Sequence, residues 1–335
     1  MRNLFHTLLV ILLFGGTTTL SAQQDAMFTK YMFNSLVFNP AYAGSNEHMA
    51  IAAIYRNQWF GNIPGAPVSQ TITAHTPLKS DRVGVGFSLI NDVIGPTRTT
   101  GANLVYSYRI PLGGNRKLSI GLQGGVENYV ADWTKLNLQV PSDVSFQNNV
   151  NRFLPNFGAG VYYSTSKFYL GFASPHLVEY DLRQNVQTSI FARQARHYFL
   201  SVGGAIPLRG DALVFKPSAL IKNVGLFSAA SKQVQFQDIG APTEFDIDLS
   251  LLFQQTFWVA ASFRSAIEGF GSEPTSSFDS ADIWVSWFLA NGVRIGAAYD
   301  YPLTELNTVT PGSFEVLLGY EFNYRTKKIV TPRYF

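Results

Sequence analysis

Four histidines, His48, His75, His176 and His197, are the residues best suited to metal binding or proton transfer beyond the first 22 positions of this 335-residue chain. They lie far apart, and none stands at the spacing of a paired metal ligand. The chain has no cysteine, which excludes thiolate catalysis, disulfide frameworks and cysteine–zinc sites. The glycine pairs Gly84/Gly86 and Gly158/Gly160 have the form of a phosphate-loop core. Each pair falls inside a strand-like segment with both glycines on one face, which reads as the thinning of an inner wall. No Gly-x-Ser-x-Gly elbow is present. The charged residues placed for acid–base work are Asp246, Asp248, Arg264, Asp282, Arg294, Asp300 and Glu315. They could form a selective lining or an acid–base pair. The expectation is simpler: charges of both signs pair and hydrate one another on an inward face. The residues therefore point to no catalytic site, no cofactor and no metal.

The elements that would carry these charges alternate with a period of two. From Phe314 to Tyr324 one face reads Phe314, Val316, Leu318, Tyr320, Phe322 and Tyr324, and the other Glu315, Leu317, Gly319, Glu321 and Asn323. Successive side chains of a strand point to opposite sides, so one face is apolar and the other polar or small. The same alternation runs through Phe245–Phe253, Val293–Tyr301 and Val83–Leu89. Fourteen segments have strand character, approximately 49–59, 68–76, 83–90, 101–110, 116–126, 156–163, 168–173, 197–206, 212–222, 245–253, 257–264, 281–289, 292–301 and 313–324. Connections after the even-numbered segments are short. Those after the odd-numbered ones, 60–67, 91–100, 127–155, 174–196, 223–244, 265–280 and 302–312, are longer. Strict alternation of short and long connections around an even strand count is the pattern of an outer-membrane barrel. A composition of 16 Tyr, 27 Phe, 28 Gly and 14% charged residues agrees with it. The net charge of +3 is too small to argue for nucleic acid. The expected fold is all-β, a transmembrane antiparallel β-barrel of about 14 strands with an N-terminal plug or periplasmic segment.

The chain divides accordingly. Residues 1–22 read as a signal peptide, with Arg2, an apolar run from Leu8 to Phe14 and a cut after Ala22. Residues 23–48 form the plug or periplasmic segment. In it Phe28, Tyr31, Met32, Ser35 and Leu36 follow helical spacing until Asn39-Pro40 breaks it. Its aromatic residues are too many to leave in water, so it either fills the barrel or docks on a partner. Residues 49–324 form the barrel, and 325–335 a basic periplasmic tail ending in Phe335.

Several runs resemble one family. They are QQDAMFTKYMFNSLVFNPAYAGS (Gln23–Ser45), YRNQWFGNIPGAPVSQTITAHTPL (Tyr55–Leu78), GVGFSLINDVIGPTR (Gly84–Arg98), YSYRIPL from Tyr106, LSIGLQGG from Leu118 and LPNFGAGVYYSTSKFYLGFASPHL (Leu154–Leu177). This chain is similar to the PorP/SprF membrane proteins of the type IX secretion system of Bacteroidetes. The likeness is specific in the first half and rests on strand pattern alone after about residue 185. It implies a non-enzymatic barrel of the secretion and gliding machinery, set in outer-membrane lipid. The implied partners are periplasmic ring proteins, a peptidoglycan-binding protein and a large secreted adhesin. It carries over no catalytic residues. The residues singled out for plug or partner contact are Phe28, Tyr31, Phe33, Asn39, Pro40 and Tyr42. Trp59, Phe60 and Pro67 are the candidates for an outer-loop contact. The competing function is an outer-membrane pore or small-solute transporter.

Overall fold

In the computed structural model the described residues are 28, 30–46, 48–61, 63–78, 81–136, 148–181, 193–194, 196–224, 243–266 and 278–322. The signal-peptide and basic-tail expectations lie outside them. Fourteen strands follow in chain order: β1 (Ala50–Phe60), β2 (Val68–Pro77), β3 (Val83–Ile94), β4 (Thr97–Pro111), β5 (Lys117–Ala131), β6 (Val150–Ser164), β7 (Phe168–Ser174), β8 (His197–Gly204), β9 (Leu213–Val224), β10 (Glu244–Phe253), β11 (Phe257–Ala266), β12 (Phe278–Phe288), β13 (Val293–Pro302) and β14 (Gly312–Glu321). Each pairs antiparallel with the next, and β1 also pairs with β14, Ala50 opposite Glu321 and Asn57 opposite Phe314. The sheet is therefore closed. Closure matters in lipid, where an open edge would leave backbone groups with no hydrogen-bond partner. No helix among the described residues is long and apolar enough to cross a membrane.

All fourteen expected segments are strands. Several ladders run further than the hydropathy alternation does. The connection expected at 91–100 is mostly paired backbone, with Asn91 opposite Thr100 and Ile94 opposite Thr97, leaving only Gly95 and Pro96 to turn. β5 and β6 extend likewise until Ala131 meets Val150. The reason is visible on the outer face. Gln70, Asn91, Thr100 and Asn128 stand side by side on adjacent strands, and Thr100 Oγ1 donates to Asn91 Oδ1 at 3.0 Å. One outward position lower lie Ile72, Leu89, Ala102 and Val126. The apolar pattern thus stops at the level of the bilayer surface, while the hydrogen-bond ladder continues past it.

Burial is inverted relative to a water-soluble sheet. Leu104, Leu122 and Ile283 are 71%, 59% and 66% exposed on the outer face, whereas Arg56, Asp248, Asp300 and Glu315 are buried on the inner one. Lipid solvates the first set and the lumen pairs the second. Aromatics collect toward both ends of the band. Tyr299, Tyr301 and Phe278 lie toward the long connections; Phe257, Trp287 and Tyr320 lie toward the short ones. A charge on this band tests the orientation directly. Leu104→Arg is expected to cost about 2–4 kcal/mol in urea unfolding from lipid vesicles, and Thr100→Arg, at the polar row, about 0–1 kcal/mol. Equal costs would mean that the outer face is not lipid-facing.

Candidate functional site

The strands enclose a lumen, and the described residues from Phe28 to Gly44 occupy it. They form three short turns: a 3-10 turn at Tyr31–Phe33, one α-helical turn at Ser35–Phe38 and a 3-10 turn at Pro40–Tyr42. The helical spacing seen in the sequence therefore yields no continuous helix. A free-standing helix would show one apolar stripe, but here wall surrounds the segment and its side chains leave in several directions, so contacts override propensity. Asn39 ends the middle turn and caps the last, its Oδ1 accepting from Ala41 N at 2.9 Å, with Pro40 at the first position of that turn. Its Nδ2 donates to Val161 O of β6 at 3.0 Å.

The half of the segment nearest β1 lies backbone-close to a wall paved with glycine. A Cβ on Gly121 would come 2.1 Å from Ala41 N, one on Gly84 2.1 Å from Ala43 O, and one on Gly160 2.2 Å from Asn39 Oδ1. The glycine pairs 84/86 and 158/160 thus thin the inner wall, and what fills the space at Gly84 and Gly160 is this segment. Polar clamps complete the seat. Ser107 Oγ donates to Ala43 O at 2.7 Å, the Arg109 guanidinium to Gly44 O, and Gly44 N to His75 Nδ1 at 3.2 Å.

The other half is held by rings and charge. Phe33 meets Trp258 and Trp284 edge-on at 5.1 and 5.2 Å, and Phe38 lies 6.2 Å from Phe28 and 5.0 Å from Phe199. Tyr31 Oη donates to Ser218 at 2.8 Å, and Tyr42 packs on Tyr162 at 5.6 Å. Burial pushes the phenols of both Tyr31 and Tyr42 above their ordinary value, so both remain neutral. Lys30 is the only charged residue between Phe28 and Asn46. Its ammonium pairs with Asp282, donates to Ser262 Oγ at 3.0 Å and lies 3.9 Å from Asp248.

The inward charges singled out from the sequence are held in ion pairs. Arg264 Nε and Nη2 bind Asp246 at 2.6 and 2.9 Å, Arg56 binds Asp300 at 2.6 Å and lies 3.7 Å from Glu315, and Arg294 binds Glu321 at 3.1 Å. A buried pair is costly to break from one side, because the remaining charge keeps its desolvation penalty. Arg264→Leu is expected to destabilise the barrel by about 3–5 kcal/mol. The double change Arg264→Leu/Asp246→Leu should recover much of that loss. Equal losses in the single and double variants would refute the pairing argument. His176 and His197 are brought to a ring separation of 6.4 Å, and His176 lies 3.1 Å from Glu127. Among the described residues no group of three or more metal-type ligands forms a metal site. Pro175 O accepts from both Gln123 and Asn156 at 3.0 Å, and Gln194 donates to Glu127 at 2.8 Å. The described ends of the β7–β8 connection, at Pro175 and Gln194, therefore also reach into the lumen.

Of the residues read from the sequence, Phe28, Tyr31, Phe33, Asn39, Pro40 and Tyr42 come together in the lumen. Trp59, Phe60 and Pro67 do not join them. Trp59 and Phe60 are the last residues of β1, not loop residues, at a register shift where Trp59 adopts φ +53°. Phe60 O accepts from Thr310 Oγ1 at 2.9 Å, its ring meets Phe314 at 5.5 Å, and Pro67 O accepts from Gln58 N at 2.9 Å. They build the rim at the long-connection end. Sequence reasoning missed Lys30, Arg56 and Gly121. A lone lysine in an aromatic, otherwise uncharged stretch was the available signal for the first.

A closed 14-strand barrel with a lipid-facing apolar belt and a lumen filled by its own N-terminal segment is an outer-membrane β-barrel. The family described as type IX secretion system membrane protein PorP/SprF matches residues 20–320, and this chain belongs to it. Among solved structures it is similar to a Pseudomonas aeruginosa FadL homologue, at 14% identity and TM-score 0.47, over 86% of this chain and 94% of that one. It is also similar to Haemophilus ducreyi BamA lacking POTRA domains 1–3, at 10% identity and TM-score 0.42, over 83% and 71% of the two chains. Acinetobacter baumannii Omp33 matches at 10% identity and TM-score 0.41, over 82% and 98%. Comparison with curated proteins returned no match.

Proposed function

We propose that this barrel is a non-enzymatic component of the type IX secretion system that anchors periplasmic partners and supports export and surface attachment of a large secreted adhesin, with a part in gliding. Membership of the PorP/SprF family, matched over residues 20–320, carries the reading. The filled lumen supports it, because a barrel occupied by its own chain suits a fixed anchor better than a solute channel. Both ends of the strand series, Ala50 of β1 and Glu321 of β14, lie at the short-turn end. In an outer-membrane barrel that end is periplasmic. Partners there are the secretion ring proteins and a peptidoglycan-binding protein. At the opposite rim, Trp59, Phe60 and Pro67 offer an aromatic contact for cargo. Export is through a signal peptide cleaved after Ala22.

A pull-down from native outer membrane in mild detergent, with bound proteins identified by mass, tests the reading. Ring proteins, a peptidoglycan-binding protein or a large adhesin are expected in the eluate. Recovery of the barrel alone, together with steady conductance in planar bilayers, would replace the anchor with a pore.

A further inference from the structure

The charge that holds the N-terminal segment sits in a cage made wholly by the barrel wall. Asp248 of β10, Ser262 of β11 and Asp282 of β12 are direct cross-strand neighbours in one inward-facing row. Ser262 Oγ and Trp284 Nε1 both donate to Asp248 Oδ2, at 2.5 and 2.8 Å. These bonds fix the carboxylate without any help from Lys30. The Lys30 ammonium then lies against two carboxylates and a hydroxyl, with the Trp284 ring centroid 5.3 Å away. Carboxylates, a hydroxyl acceptor and an aromatic face are what a primary ammonium requires.

Two further observations separate the cage from its occupant. Asp248 Oδ1 has no hydrogen-bond partner among the described residues, although Asp248 is only 1% exposed, so Lys30 does not satisfy the cage fully. Between Phe28 and Gly44 the segment makes no backbone–backbone hydrogen bond to the wall among the described residues. Every cage residue, by contrast, belongs to the closed ladder. Withdrawal of Lys30 would thus leave the cage standing.

We propose that this cage is an alkylammonium-binding site of the barrel, and that Lys30 is its tethered, exchangeable ligand. A lysine side chain on an incoming polypeptide is the chemical class that would exchange with it and loosen the Phe28–Phe33 half of the segment, which still keeps Arg264 Nη2 on Phe28 O, Lys30 N on Glu315 Oε1 and Tyr31 Oη on Ser218. The half beside Gly84, Gly121 and Gly160 stays seated. The proposal does not rest on the secretion role, and its test reads neither secretion nor partners.

The full-length Lys30→Ala variant in detergent is melted with n-butylammonium chloride or with equal sodium chloride. A loss of about 5 °C relative to the parent is expected in sodium chloride. Butylammonium should reverse that loss saturably, and the added change Asp248→Asn should abolish the recovery. Recovery no greater than in sodium chloride overturns the site. A second measurement uses the unaltered protein and does not depend on the variant folding. Deuterium labelling of the Phe28–Phe33 backbone amides, read by mass spectrometry, should rise several-fold with butylammonium. Labelling indifferent to butylammonium overturns the exchange.

Discussion

Deletion of residues 23–45 is expected to turn a barrel that opens only briefly into a steadily conducting one in planar bilayers. The described part of that segment runs down the lumen. Phe28 lies beside Arg264, near the long-connection end of β11, and Gly44 beside Arg109, near the short-turn end of β4. Its rings fill the space between opposite walls: Phe33 on Trp258 and Trp284, Phe38 on Phe199, and Tyr42 on Tyr162 and His75. Without it the inner face is polar and charged, which favours hydration and ion passage. The deleted barrel should show a steady open level where the parent shows brief events. Equal traces from the two proteins would mean that the segment does not close the lumen, and the filling would have to be assigned to the β7–β8 connection. That connection reaches Gln123, Glu127 and Asn156 independently.

The second large effect is expected from a single methyl group. Gly121→Ala places a Cβ 2.1 Å from Ala41 N and 2.3 Å from Pro40 C, both backbone atoms that cannot rotate away. Either the segment lifts or the wall bends, at a cost of about 3 kcal/mol. Gly124→Ala, three residues along the same strand, meets only the Phe157 ring at 3.7 Å, an ordinary contact. Its effect should stay within about 0.5 kcal/mol. Urea unfolding in lipid vesicles gives the energies, and added protease reports whether the segment has become accessible. Similar behaviour of the two variants would show that the glycine floor does not seat the segment.

These two expectations draw on different kinds of information. Gly84 and Gly160 stood out because each forms a same-face pair with another glycine inside an alternating strand. Gly121 did not, since its nearest same-face neighbours are Ser119 and Gln123. The loop expected at 91–100 illustrates the other limit. Alternation reports the solvent that a strand face meets, not the hydrogen bonds of its backbone, so it stopped at Asn91 and Thr100 while the ladder continued to Ile94 and Thr97. The turns of the N-terminal segment were readable at Asn39-Pro40, where the chemistry is local, but not over Tyr31–Phe38, where distant walls set the backbone.

The wall is legible in the residue order alone. Fourteen strands and their inward and outward faces follow from a period of two, because lipid and lumen impose opposite demands on adjacent residues; the strict sorting of connections does not, since the one expected at 91–100 is a two-residue turn. What the wall encloses depends on contacts across the closed sheet. The pairing of β1 with β14 joins residues some 270 positions apart, as at Ala50 and Glu321, and Lys30 meets Asp282 across 252 positions. No local pattern encodes such partners. They are set when the sheet closes and brings inward charges of opposite sign within reach of one another.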